Sequence, residues 1–382
     1  MSMHMNRRRP VAAPPPPVET AAPGPVDWWL LFLFLGILCL GLMSLFSASA
    51  PLGLRKFNDA YYFFKRQLIF MSLGGVAIVT LFLMPRWLIN RLHYWSIATA
   101  IILLIACLII NKVTKGSARW IDFGLIKLQP MEFTRIALVL YLSYFLGTKK
   151  DMVKEFARGL VPPLLATAII CGLLLAQPDY GGAAMMCMIV AGMCLAGGIK
   201  RQHLIIIFTL IVTAAAIYIR EPYRWNRVMA FLDPFADKLG KGYQTVQSFY
   251  ALGSGGIFGA GIGASVQKLG KTLPEAHNDY IMAVLGEETG FVGIAAVIVL
   301  FAVFLHRCYK VALGQKDLRD KLNAYGFTLV IAISFSLNMG VVLGVLPPKG
   351  VAMPFFSYGG SSLLSNMICV GFLLHYSRTA RE

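Results

Sequence analysis

Charge is what this sequence has least of. Only 14% of its 382 residues are Asp, Glu, Lys or Arg, against about 25% in an ordinary soluble domain, so the polar surface of a water-soluble fold is missing. Acidic residues are the scarcer kind: 18 Asp and Glu stand against 35 Lys and Arg, a formal net charge of +17. The seven cysteines (Cys39, Cys107, Cys171, Cys187, Cys194, Cys308, Cys369) lie mostly inside apolar runs. They lack the pairing of a disulfide framework and the spacing of a zinc site, and read as small apolar core residues. The polar–apolar alternation of a membrane β-barrel is absent as well. Composition therefore excludes a soluble enzyme, a disordered scaffold, a collagen-like fibre and a disulfide-rich secreted module.

What is abundant is apolar sequence, at 57%. Spans of roughly 17–25 apolar residues cross a bilayer as helices. Candidates are 28–49, 67–84, 95–111, 133–147, 160–177, 181–198, 203–219, 280–305, 324–346 and 361–377, about ten in all by that rule. The fold expected is an all-α polytopic membrane protein. Residues 1–26, with Arg7 to Arg9 and the run Pro14 to Pro17, read as a disordered basic tail. Residues 27–382 form the transmembrane domain. An even number of spans puts both termini on one side, and the basic tail marks that side as cytoplasmic.

The short inner loops are basic, as orientation requires. The outer side is basic too, carrying Arg119, Lys127, Arg224, Arg227, Lys241 and Lys349 among others. Orientation does not account for that charge; an anionic ligand does. Nucleic acid is not expected there. The longest interruption, about 220–278, is rich in aromatic residues and glycine and is expected to pack on the membrane and partly re-enter it.

Within that loop, Gly253 to Ala264 contains a formal G-x-G-x-x-A but lacks the strand–helix context of a dinucleotide site. It reads as a close-packed turn, or as backbone N–H groups turned toward phosphate. Arg224-Trp225-Asn226-Arg227 suits a diphosphate, or equally an interfacial anchor. Three acids stand at outer helix ends: Glu132, Asp179 and Asp279. Acids near a bilayer are functional or tightly paired; for Asp279 the plainer role is a helix cap. Glu287 and Glu288, deeper in the same span, are expected to pair with a neighbouring helix.

The run from Asn338 through Gly344-Val-Leu-Pro-Pro-Lys349-Gly-Val-Ala-Met-Pro-Phe-Phe-Ser357-Tyr-Gly359-Gly360-Ser-Ser resembles the signature of the SEDS proteins (shape, elongation, division and sporulation). Three other blocks resemble it in order: Gly116 to Asp122 with Gln129-Pro-Met-Glu132, Gln177-Pro-Asp179, and Leu273-Pro-Glu-Ala-His277-Asn278-Asp279-Tyr280 with Gly286 to Gly290. Lys349 and the Leu-Pro-Glu-Ala-His run are more like the division-type branch, FtsW, than the elongation-type RodA; the sporulation-type SpoVE is hard to separate. Arg135 stands where the family commonly has Lys, and Met131, Asn278 and Tyr280 also depart from its pattern.

The resemblance implies a peptidoglycan glycosyltransferase of the cytoplasmic membrane. It polymerises lipid II at the outer face during septal wall synthesis, beside a class B penicillin-binding transpeptidase and other division proteins. It implies Asp279 as the catalytic base, with Glu132 and Asp179 as supporting acids. Arg119, Arg224, Arg227, Lys349, Ser357, Gly359, Gly360 and His277 are the substrate-binding candidates. An α-linked donor giving a β-1,4 glycan is an inversion, for which one carboxylate base suffices. The diphosphate leaves once its charge is neutralised, by these cations or by a divalent cation; no other cofactor is expected. A lipid II flippase and a non-catalytic scaffold for the transpeptidase are the alternatives.

Overall fold

The computed structural model describes residue 24 and residues 26–114, 119–122, 124, 127–149, 155–200, 202–203, 205, 209, 229, 231–240, 242–269, 273–274, 276–348 and 350–379. Every expected span except 203–219 coincides with a helix, and that run falls largely outside the described residues. The helices are α1 (Trp28–Phe57), α2 (Tyr62–Leu83), α3 (Arg86–Thr114), α4 (Pro130–Thr148), α5 (Val161–Ala176, entered through a π turn, Phe156–Leu160) and α6 (Tyr180–Ala196). They continue with α7 (Tyr243–Gly255), the single turn α8 (Val266–Leu269), α9 (Ile281–Leu313), α10 (Leu318–Val342) and α11 (Gly360–Ser377). A two-residue antiparallel hairpin, β1 (Ile121–Asp122) and β2 (Lys127–Leu128), is the strand structure among the described residues.

Among the described residues six helices are long and apolar enough to cross a membrane, and the chain is a multi-pass membrane protein. Helices α4 and α11 are buried on nearly every face and form the centre, as helices that bury all round must. Helices α1, α2, α3 and α5 surround them and turn apolar residues such as Phe32, Val79, Ile102 and Leu165 outward. Helices in lipid gain little from apolar burial and associate by close packing, which favours small residues at contacts. The α2–α11 contact follows this rule: Gly74 lies under Met367, Gly371 against Ile78 and Leu81, and Gly360 under the Phe70 ring.

Helix α9 is broken. Gly290 has φ 68° and ψ −165°, which frees backbone groups well inside an apolar span, where none can be left unpaired. The glycine-rich turn supplies the missing partners. Phe291 N–H donates to Gly256 O (2.9 Å), Val292 N–H to Ile257 O (3.1 Å), Ala260 N–H to Glu287 O (2.9 Å) and Gly261 N–H to Glu288 O (3.0 Å). A Cβ on Gly259 would collide with the Glu288 carbonyl, and one on Gly290 with the backbone of Ile257 and Gly259. Glycine serves close backbone approach here, and the N–H groups of Ala260 and Gly261 are taken by helix carbonyls rather than turned toward phosphate.

Glu287 and Glu288 belong to the same joint. Glu287 accepts from the Ser265 hydroxyl and from Val266 N–H (2.9 Å), capping α8. Glu288 accepts from Ser47 of α1 at 2.6 Å. The helix-to-helix ion pair expected for Glu287 is replaced by a loop cap.

Candidate active site

The N-terminal end of α9 and that of α4 meet around a cavity of about 840 Å³. Its wall contains the three acids Asp279, Glu132 and Asp122, the hairpin cation Lys127, Arg119 and Trp120 just before the hairpin, and Arg66 from α2. Gly359 and Gly360, at the start of α11, and the apolar Phe70 and Ile110 complete the parts that matter chemically.

Each wall element has an identifiable support. The hairpin is tied to α11 by Ser361, whose hydroxyl donates to Lys127 O (3.1 Å) and accepts from Gln129 N–H (3.0 Å). Asp122 and Lys127 face each other at 3.3 Å. The Gly124 N–H, with Lys127, holds the Asp122 carboxyl below its ordinary range. Pro130 opens α4, where a missing N–H costs nothing, and places Glu132 in the first turn. There the Glu132 carboxylate is buried in an ion pair with Arg135 and accepts from Ser365 Oγ (2.8 Å). Arg135, 1% exposed, also donates to Ser334 Oγ at 2.9 Å and to Ser365 Oγ at 2.6 Å. A planar guanidinium bonds in several directions at once, which an ammonium on the same stem does less well.

Asp279 is held from behind. The amide of Asn338, on α10, donates to Asp279 O and to Val351 O, both at 2.8 Å. The Ser357 hydroxyl donates to Asn278 O (2.6 Å) and accepts from Met353 N–H (2.8 Å). Tyr358 N–H donates to His277 O at 2.9 Å. In front, a Cβ on Gly350 would lie 3.3 Å from Asp279 Oδ2, so only a residue without a side chain passes there easily. Burial pushes the Tyr358 phenol up, with Arg66 opposing, and the hydroxyl remains a neutral donor at the cavity wall.

The predicted residues divide accordingly. Asp279, Glu132, Arg119, Gly359 and Gly360 line the cavity. Asp179 stands one contact away: it caps α6 through Gly182 N–H (3.1 Å) and lies 3.8 Å from Arg119, which also donates to Pro178 O. Ser357 and His277 are buried behind the wall, Ser357 bonded as above and His277 packed on Phe63 (ring centroids 4.8 Å apart) and Tyr358. Arg224, Arg227 and Lys349 lie outside the described residues. The sequence reading missed Arg66, Trp120 and Tyr358 as wall residues, and gave Asn338 no role. A signal for Arg66 existed: it is a cation at the very edge of the apolar run that begins at 67. Among the described residues no group of three or more His, Cys, Asp or Glu is placed to hold a metal ion.

The chain resembles known proteins along most of its length. The model of the FtsW, RodA and SpoVE family, described as cell cycle proteins, matches residues 28–382. A probable peptidoglycan glycosyltransferase FtsW of Trichlorobacter lovleyi is 39% identical over 92% of this chain and 93% of its own. Stage V sporulation protein E of Bacillus subtilis is 36% identical over 93% of this chain and 98% of its own. Among solved structures, one from work on polymerization and crosslinking by a peptidoglycan synthase complex superimposes with a TM-score of 0.77. It shares 29% identity and covers 92% of this chain and 98% of that one. With its family model matched from the first helix to the last residue, this chain belongs to the FtsW, RodA and SpoVE family.

Proposed function

We propose that this protein is a peptidoglycan glycosyltransferase that polymerises lipid II into β-1,4-linked glycan, with the cavity as its active site on the outer face of the membrane and both termini inside. One observation carries the reading. The cavity joins three carboxylates, three cations and an apolar wall, and these match the three parts of the substrate: sugar hydroxyls, a diphosphate and a polyprenyl chain. Asp279 takes the proton from the acceptor 4-hydroxyl as that oxygen attacks the donor sugar C1. The bond from C1 to the diphosphate oxygen breaks, and the lipid diphosphate leaves with its electron pair. Arg66, Arg119 and Lys127 stabilise that growing negative charge, with Arg224, Arg227 and Lys349 as further candidates. Glu132, fixed by Arg135, and Asp179, beside Arg119, shape the field around the base and the cations. Phe70 and Ile110 offer the apolar surface along which the prenyl chain lies.

The related chain from a peptidoglycan synthase complex of polymerization and crosslinking supports a crosslinking partner here, which we take to be a class B transpeptidase. The test uses purified full-length protein and lipid II in detergent, with products separated on a gel. Polymer is the expected result. Flipping has no meaning without a bilayer, so a flippase or a bare scaffold yields none.

A further inference from the structure

The α1–α2 corner carries an aromatic surface that the chemistry above does not use. Helix α1 ends at Phe57, Asn58 reverses the chain in the left-handed region (φ 54°), and α2 begins at Tyr62. The turn is rigid: Asn58 N–H donates to Leu54 O (3.0 Å), Tyr61 N–H to Asp59 Oδ1 (2.9 Å), and Lys65 pairs with Asp59 at 2.9 Å. On this frame Phe57 and Tyr62 stack with centroids 3.7 Å apart and planes 10° apart, and Tyr61 stacks on Phe46 at 5.1 Å. Phe57 is 46% exposed and Tyr61 54%.

This surface is continuous with the cavity. Arg66 belongs to the cavity wall, and its guanidinium lies 4.9 Å over the Tyr62 ring. Beyond the rings, Arg55 and Lys56 end α1 as exposed cations. Sugar rings present C–H faces that fit the negative face of an aromatic ring, and the ring edges and hydroxyls here bond the rest. Rigid aromatic side chains hold such a ligand at small entropic cost.

Resting on the polymerase reading, we propose that Phe57, Tyr61 and Tyr62 form a product subsite that holds the growing strand as it leaves the cavity past Arg66. The ligand class is a chain of N-acetylated hexoses bearing acidic peptides; the rings meet the sugars and Arg55 and Lys56 the peptide carboxylates. The subsite sets how long a strand grows before release, not how fast one bond forms.

The experiment compares strand length with bond formation in detergent, where a residue that merely anchors the protein at the membrane interface has nothing to do. Tyr61→Ala is expected to shorten mean glycan length about threefold, and Tyr61→Ala with Tyr62→Ala about tenfold, as weaker holding raises release. The initial rate of the first bond stays within about twofold of the parent. Tyr61→Trp, which keeps a ring at that position, keeps the parental length. Binding of short soluble glycan fragments to Asp279→Asn protein, which needs no turnover, falls in parallel. Unchanged lengths and unchanged fragment binding overturn the proposal in favour of interfacial anchoring. Length and first-bond rate falling together overturn it in favour of a structural role. If the parent itself makes no polymer, the polymerase reading fails, and fragment binding alone then decides the subsite.

Discussion

Replacing Asn338 with alanine removes the amide that holds the backbone of the proposed base. Its Nδ2 donates at 2.8 Å to Asp279 O and at 2.8 Å to Val351 O, so one side chain ties the α9 entry to the segment that passes in front of the carboxylate. Each such bond is worth about 1 kcal/mol net, and a carbonyl left dry adds about 1–3 kcal/mol. The bond to Val351 O is buried, and the one to Asp279 O only partly so. The sum is roughly 3–5 kcal/mol, a fall of several degrees in the unfolding midpoint. Catalysis suffers more than stability, because a base displaced by about 1 Å costs on the order of 10²-fold. Asn338→Asp, nearly identical in shape, does no better, since a carboxylate has no proton for either carbonyl and a carboxylic acid has one for only one. The assay is polymerisation of lipid II at a temperature well below both midpoints, beside thermal unfolding of the same samples. In an Asp279→Asn background the Asn338 change should cost little more activity, because it acts through that base. A variant with parental midpoint and parental rate refutes the positioning argument.

Arg135→Met leaves Glu132 buried without its cation and should destabilise by about 3–5 kcal/mol; pairing it with Glu132→Gln restores much of the stability, read as the unfolding midpoint, but not the polymerisation rate. Gly350→Ala puts a methyl group 3.3 Å from Asp279 Oδ2 and should lower the rate by about tenfold with little change in midpoint, as crowding a base by tenths of an ångström does. For orientation, Lys238→Cys on a cysteine-free background should react with an impermeant maleimide in intact cells; labelling only after permeabilisation reverses the proposed sidedness.

Much of the architecture was legible because a bilayer demands long apolar runs, and α1, α2, α9 and α10 announce themselves by length alone. Helix α4 was legible from Pro130 and the acid two residues later, though its short run gave no hint that it is the buried centre. The break at Gly290 was not legible. A glycine inside an apolar run reads as a packing residue, and its partners at Gly256 to Gly261 lie some thirty residues away in a turn that can also be read as a phosphate loop. The acids of the site stood out because acids are scarce here. Ser357 and His277 stood out in two of the motif blocks, yet the fold uses them to pin the turns that carry Asn278 and Tyr358. Arg66 was hidden for the opposite reason: its place at the edge of an apolar run is one it shares with many of the other cations of this chain.

Polymerisation by Asp279→Asn protein tests the central claim most directly. Asn keeps the shape of the side chain and caps a helix as well as Asp does, but it cannot take a proton. The account predicts that monodisperse Asp279→Asn protein, with the unfolding midpoint of the parent, still binds lipid II and loses about 10²–10⁴-fold in rate, while Asp279→Glu keeps a trace of activity. Glycan made by the Asn variant at near the parental rate would contradict it, and would move the base to Glu132 or Asp179.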